Sequence, residues 1–126
     1  MIKENSQKNV LGEKLESCSS EPITGWLRDG CCNTDDNDHG VHTVCAKLTT
    51  KFLEWAKIAG NDLITPHPEF NFPGLKGGDS WCVCAETYAQ SIKSGTACKI
   101  FLKKTNYKTL EIIPLDELKK YAIDLS

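Results

Sequence analysis

The chain has 126 residues, 25% of them charged, with a formal net charge of −2, a size that fits one domain with a modest core of its own. Residues 1–63 hold 7 basic and 10 acidic side chains, and residues 64–126 hold 8 and 7. That even balance excludes the basic stripe of a nucleic-acid binder, and no apolar run is long enough to span a bilayer, so neither nucleic acid nor membrane is an expected partner.

Residues 1–8 are polar and are expected to form a disordered N-terminus, with residues 9–126 forming a single α+β domain. The first ten residues lack the apolar stretch of a secretory signal, which points to the cytoplasm. From Asn9 to about Asp38 the chain is polar, carries Gly, Pro and Ser, and shows little periodicity, so it reads as irregular loop. Val41 to Leu48 alternates like a strand, with Val44, Ala46 and Leu48 on one face. Thr49 or Thr50 can cap a helix that runs to about Ala59, with Gly60 in the C′ position. Phe52, Trp55, Ala56 and Ala59 make its apolar side, opposite Lys51, Glu54 and Lys57.

Prolines 66, 68 and 73 forbid a regular helix in the next segment. Phe70, Phe72 and Leu75 give that long loop apolar anchors, a pattern more common in functional loops than in tethers. Trp81 to Cys84 suits a short strand or a first helical turn. Ala85, Tyr88, Ala89 and Ile92 then form a helical stripe closed by Gly95. Lys99–Lys103 and Leu110–Ile113 suggest two strands, with a hairpin across Thr105-Asn106. Pro114 can open a last helix with Leu115, Leu118 and Ala122 inward. The sum is an α+β fold: a small, mainly antiparallel sheet, about three helices and long irregular loops. Trp26, Trp55 and Trp81 are expected as core anchors.

Seven cysteines are many for a cytoplasmic chain, and an odd number cannot pair completely. In a reducing compartment they are expected to be free, metal-bound or reactive rather than a disulfide frame. The candidates are Cys18, Cys31, Cys32, Cys45, Cys82 and Cys84, with His39 and His42. No pair of Cys-x-x-Cys knuckles appears, so a zinc site, the candidate cofactor, would have to be assembled from scattered ligands. Cys82 and Cys84 are two apart and would share a strand face. His42 and Cys45 are three apart and could face one ion only if the strand starts after His42 or is bulged. The metal candidates are therefore Cys31, Cys32, His42, Cys45, Cys82 and Cys84. A vicinal Cys31–Cys32 disulfide is conceivable but strained. The plain alternative is that most of these cysteines are small buried packing residues.

Arg28 is the single arginine beside fourteen lysines. Its planar fork suits an anion or a nearby thiol in a way that lysine does not. The competing reading is an ion pair with Asp29, Asp62 or Asp79. Three other motifs fail. The run from Asp35 to Gly40 has Ala46 where an EF-hand needs its last carboxylate, and so reads as a solvated turn. The glycines around Leu75 are not followed by the Lys-Ser/Thr of a phosphate loop. No local protease signature surrounds a cysteine.

One resemblance covers nearly all of residues 9–122. Asn9-Val10-Leu11-Gly12, Arg28-Asp29-Gly30-Cys31-Cys32 and His42-Thr43-Val44-Cys45-Ala46 are joined by Gly60-Asn61-Asp62-Leu63, Thr65-Pro66 and Pro68-Glu69-Phe70. Phe72-Pro73-Gly74-Leu75-Lys76, Gly78-Asp79 and Trp81-Cys82-Val83-Cys84-Ala85 complete the series. In these motifs the chain resembles the bacterial domain-of-unknown-function family 2237. The resemblance implies a single-domain bacterial protein and no assigned activity. The chain departs from the family pattern at Ile64, His67 and Cys98, which sets His67 and Cys98 aside as site residues.

These readings converge on an expected pocket where residues 24–42 meet 60–84. Arg28, Asp62 and Asp79 would bind a small ligand, and Cys31, Cys32 or Cys84 would act as nucleophile with His42 as base. The first expectation is a binding or sensing domain for a metal ion or small anion. A thiol-dependent enzyme or redox protein is the second, and a structural or partner-binding domain with buried cysteines is the third.

Overall fold

A computed structural model describes residues 7–124. Of the expected disordered N-terminus, residues 1–6 lie outside the described residues. Gln7 and Lys8 are hydrogen-bonded, to Thr34 and Tyr107 respectively.

The alternating segment forms β1 (His42–Lys47), and the Trp81 segment forms β2 (Ser80–Cys84). With β3 (Lys99–Ile100) they make an antiparallel sheet in the order β2-β1-β3. The helices are α1 (Thr50–Ile58), α2 (Ala85–Ser94) and α3 (Leu115–Lys119). This is the α+β arrangement expected from the sequence. Thr49 caps α1 by accepting from the Phe52 amide at 3.1 Å. Gly95 ends α2 in the left-handed conformation, at φ 73°. Among the described residues no helix is long and apolar enough to cross a membrane.

The expected hairpin across Thr105-Asn106 is absent, and the reason is local. Past β3 the chain turns through two 3-10 segments, Leu102–Lys104 and Tyr107–Glu111. The Thr105 hydroxyl donates to the Phe101 carbonyl, and the Asn106 side chain accepts from the Lys108 amide. Side chains that satisfy nearby backbone groups in this way compete with a strand ladder.

One face of the sheet carries the apolar core. Val44, Ala46, Trp81 and Val83 pack there with Leu48, Phe52, Ala56, Tyr88, Ile100 and Leu118. Tyr88 is fully buried and donates its hydroxyl to the Cys98 carbonyl at 2.6 Å. Burial, chiefly, and then the neighbouring Cys98 and Tyr121 push its phenol far above the ordinary value. Trp81 is a core anchor and Trp55 is half-buried, but Trp26 is 40% exposed. Its indole instead stacks on His42 and donates to Asp35 at 2.9 Å.

The other face meets the irregular segment before β1. Asn9, with no exposed surface, fastens this segment by accepting from the Leu11 and Glu13 amides and donating to the Lys103 carbonyl. Two disulfides, Cys18–Cys45 and Cys32–Cys82, complete the attachment. The expectation of unpaired thiols is thus corrected for four of the cysteines, and Cys31 is free rather than bonded to Cys32. The register explains the pairing. Cys45 and Cys82 are partners across β1 and β2, and the loop brings Cys18 and Cys32 onto the same buried cluster.

Candidate functional site

A cleft of about 390 Å³ runs along β2, one of the two edge strands of the sheet, between the loop that carries Arg28 and the loop around Phe72. Trp26, Phe72 and Trp81 line it as aromatic walls, and Arg28, His42 and Cys84 line it as reactive or charged groups. A largely apolar recess with a few convergent polar groups is the usual form of a small-molecule site.

His42 owes its place in this cleft to a β-bulge. The ladder passes from Val44↔Val83 to His42↔Cys84, which leaves Thr43 as the extra residue. The bulge places His42 opposite Cys84 in the register of β1 and β2. Thr43 is held out of the ladder by its hydroxyl, 2.7 Å from that of Thr109. The bulge also restores His42 to the sheet face of Cys45. The sulfur of Cys45 is nevertheless committed to Cys18 in the buried cluster, so His42 and Cys45 do not meet as a ligand pair.

Asp38 fixes the imidazole. His42 Nδ1 lies 2.6 Å from Asp38 Oδ1, while the His42 amide and the Thr34 hydroxyl each donate to Oδ2 at 2.9 Å. Asp38 is 4% exposed. Burial alone would raise its pKa. The bonds from His42, side chain and backbone, and from Thr34 outweigh burial and hold the carboxyl below its ordinary value. An ionised carboxylate can only accept, so Nδ1 carries the proton and donates to it, which leaves Nε2 as the unprotonated nitrogen of the neutral ring. Gly40 makes room for the ring, since a Cβ there would lie 2.7 Å from His42 Cε1.

Cys84 is a half-buried free thiol at the N-cap of α2. Its side chain makes no capping hydrogen bond, so the sulfur is not occupied by the helix. The first turn of a ten-residue helix favours negative charge beside it. Arg28 approaches from the loop, its guanidinium carbon 5.1 Å above the Trp81 ring. Nη1 donates to the Gly25 carbonyl at 2.6 Å, and among the described residues Arg28 has no ion pair. Most of its donor fork therefore remains for a ligand. Arg28 and Val41, the residue before the histidine, have φ of 55° and 52°. Such backbone costs about 1–3 kcal/mol per residue and clusters at functional sites.

The profile of a family described as an uncharacterized protein conserved in bacteria, DUF2237, matches residues 8–122. The chain belongs to this family. No curated protein matches it. This DUF2237 chain brings together Arg28, His42, Asp62 and Cys84 of the residues expected at the site, with Cys82 also on the wall. Asp62 has a structural task as well, accepting from the Ile64 and Thr65 amides and the Thr65 hydroxyl. The Thr65 hydroxyl, first, and these amides hold it below the ordinary value.

Other expected members sit elsewhere. Asp79 accepts from the Lys76 amide and ammonium in the turn before β2 and does not line the cleft. Cys31 is half-buried outside the cleft lining, and burial, followed by the Asp29 carboxylate, raises its thiol pKa. Cys98, set aside on the family pattern, is buried beneath Tyr88, and desolvation pushes it up to about 12. His67 was also set aside, yet it lines the outer wall, 3.5 Å from Glu69. Asp38 and Trp26 were missed as site residues. For Asp38 a signal existed: an acid four residues before the candidate base.

Proposed function

We propose that the cleft is a thiol-dependent site that captures or transforms a small electrophile bearing an acidic group. Cys84 is the nucleophile, His42 the base, Asp38 the positioning residue and Arg28 the anion clamp. The observation that carries this reading is the pairing of a free, uncommitted thiol with a carboxylate-oriented histidine directly across the β1–β2 ladder. In the step proposed, His42 Nε2 takes the thiol proton. The sulfur then bonds to the electrophilic carbon as that carbon releases its leaving group or shifts an electron pair. The aromatic walls favour a ligand with a flat apolar body. The compartment belongs to the proposal too: a reducing cytoplasm would keep Cys84 as a thiol.

Paired alkylating agents test it. Iodoacetate carries the charge that Arg28 would hold, and iodoacetamide does not. We expect Cys84 to react with iodoacetate at least as fast as with iodoacetamide, with Arg28→Lys lowering that ratio severalfold. His42→Ala should slow both reactions on the order of a hundredfold. A Cys84 rate insensitive to both substitutions would remove the reading and leave a plain surface thiol.

A further inference from the structure

We propose that Cys18, Cys32, Cys45 and Cys82 form a tetrathiolate zinc centre in the reduced protein, and that the two disulfides are its oxidised, metal-free form. This site is separate from the Cys84 chemistry and stands or falls without it.

The argument begins with convergence. The Sγ atoms of Cys18, Cys32 and Cys82 all lie within 4.8 Å of one another, and Cys45 Sγ is bonded to that of Cys18. A tetrahedral zinc with four Zn–S bonds needs sulfurs about 3.8 Å apart. Two disulfides that merely fastened a loop could sit anywhere along β1 and β2. Here three separate stretches of chain bring their sulfurs within 4.8 Å of one another, and the fourth, Cys45, is bonded to one of them in the same buried cluster. The cysteines are 7%, 0%, 0% and 1% exposed, in order of number, so the sulfurs would be shielded from water, as in structural zinc sites. An all-sulfur donor set selects zinc over calcium or magnesium.

The backbone around three of the four cysteines is fixed by hydrogen bonds. Cys45 and Cys82 project from paired positions on β1 and β2, and their amides are held by the hydroxyls of Thr105 and Thr24 at 3.1 and 2.8 Å. The Cys18 amide is fixed on the Gly30 carbonyl at 2.7 Å. Phe101 packs against the cluster, and the Lys104 ammonium lies 4.4 Å above its ring. Scattered positions hid the site in the sequence, because its ligands are neighbours only through β register and loop return.

The interconversion balances. Two disulfides take four electrons and four protons from cellular dithiols, which become disulfides, and yield four thiols. One Zn²⁺ then binds four thiolates and displaces four protons. Oxidation by a disulfide or peroxide reverses the change and releases the ion.

The test uses the full chain, reduced and freed of metal, with Co²⁺ as the probe and Zn²⁺ as competitor. One Co²⁺ per chain is expected, with the intense visible absorption of tetrahedral cobalt thiolate, displaced by one Zn²⁺. Oxidation should release the metal and give the Cys18–Cys45 and Cys32–Cys82 peptides by mass mapping. Cys84→Ser and Cys31→Ser should leave the spectrum unchanged, whereas Cys45→His should shift it while keeping the stoichiometry. Wild-type protein that takes up no stoichiometric Co²⁺ or Zn²⁺ would overturn the proposal. So would a cobalt spectrum abolished by Cys84→Ser.

Discussion

The two faces of the sheet are built by different means. On the helix face Phe52, Tyr88, Ile100 and Leu118 are fully buried among Val44, Ala46 and Leu48, and apolar burial is what holds the elements together. On the loop face the described cluster is four sulfurs with Phe101 beside them, and polar attachments through Asn9, Thr24, Asp38 and Asn106 add to the burial of Val10 in the main core. The first face is a scaffold that tolerates little change in volume. The second holds irregular chain in a defined shape, and at its margin, along β2, the free thiol, the histidine and the arginine line the cleft. Reduction or oxidation should therefore be felt on the loop face first.

Four variants sharpen that contrast. Phe52→Ala should have the largest effect, about 3–5 kcal/mol by denaturant unfolding, because it empties the scaffold. If its cost were below that of the loop-face changes, the division of labour would be wrong. Replacing both Cys18 and Cys45 by Ser should cost about 2–4 kcal/mol under oxidising conditions. Hydrogen exchange should rise over residues 9–40 and stay unchanged in α1 and α2.

Asp38→Asn comes next, at about 1.5–3 kcal/mol near neutral pH, the range for hydrogen bonds to a charged group. Its sign with pH is determined by the depressed carboxyl. The stabilisation is complete above about pH 4, the unfolded value, and disappears as pH falls through the lower folded value. Unfolding curves of wild type and variant should thus converge in acid; a constant gap would assign the effect to packing. Thr49→Ala should be smallest, about 1 kcal/mol, through loss of the α1 cap. It should leave alkylation of Cys84 untouched.

The regular elements were legible because their signals are local. Alternation around Val44 and the stripe from Ala85 to Ile92 mark β1 and α2, and Thr49 and Gly95 mark helix ends. The site was legible only in its parts list. Arg28 stood out by its rarity, and Cys84 and His42 as thiol and base. Their meeting depends on a bulge anchored by Thr43 and Thr109, 66 residues apart, which no local pattern encodes. The sulfur pairing was hidden for the same reason. Asp38 could have been found from its spacing to His42, but the acidic run around it read as a solvated turn. Trp26 was expected in the core because tryptophan usually is; its indole N–H found Asp35 at the surface instead.

The most direct measurement is the order in which the native protein's free cysteines react with a neutral alkylating agent, followed by mass mapping. Cys84 should be modified first, with Cys31 slower and Cys98 protected until unfolding. Modification of Cys31 ahead of Cys84, or of neither before denaturation, would contradict the placement of the reactive thiol in the cleft.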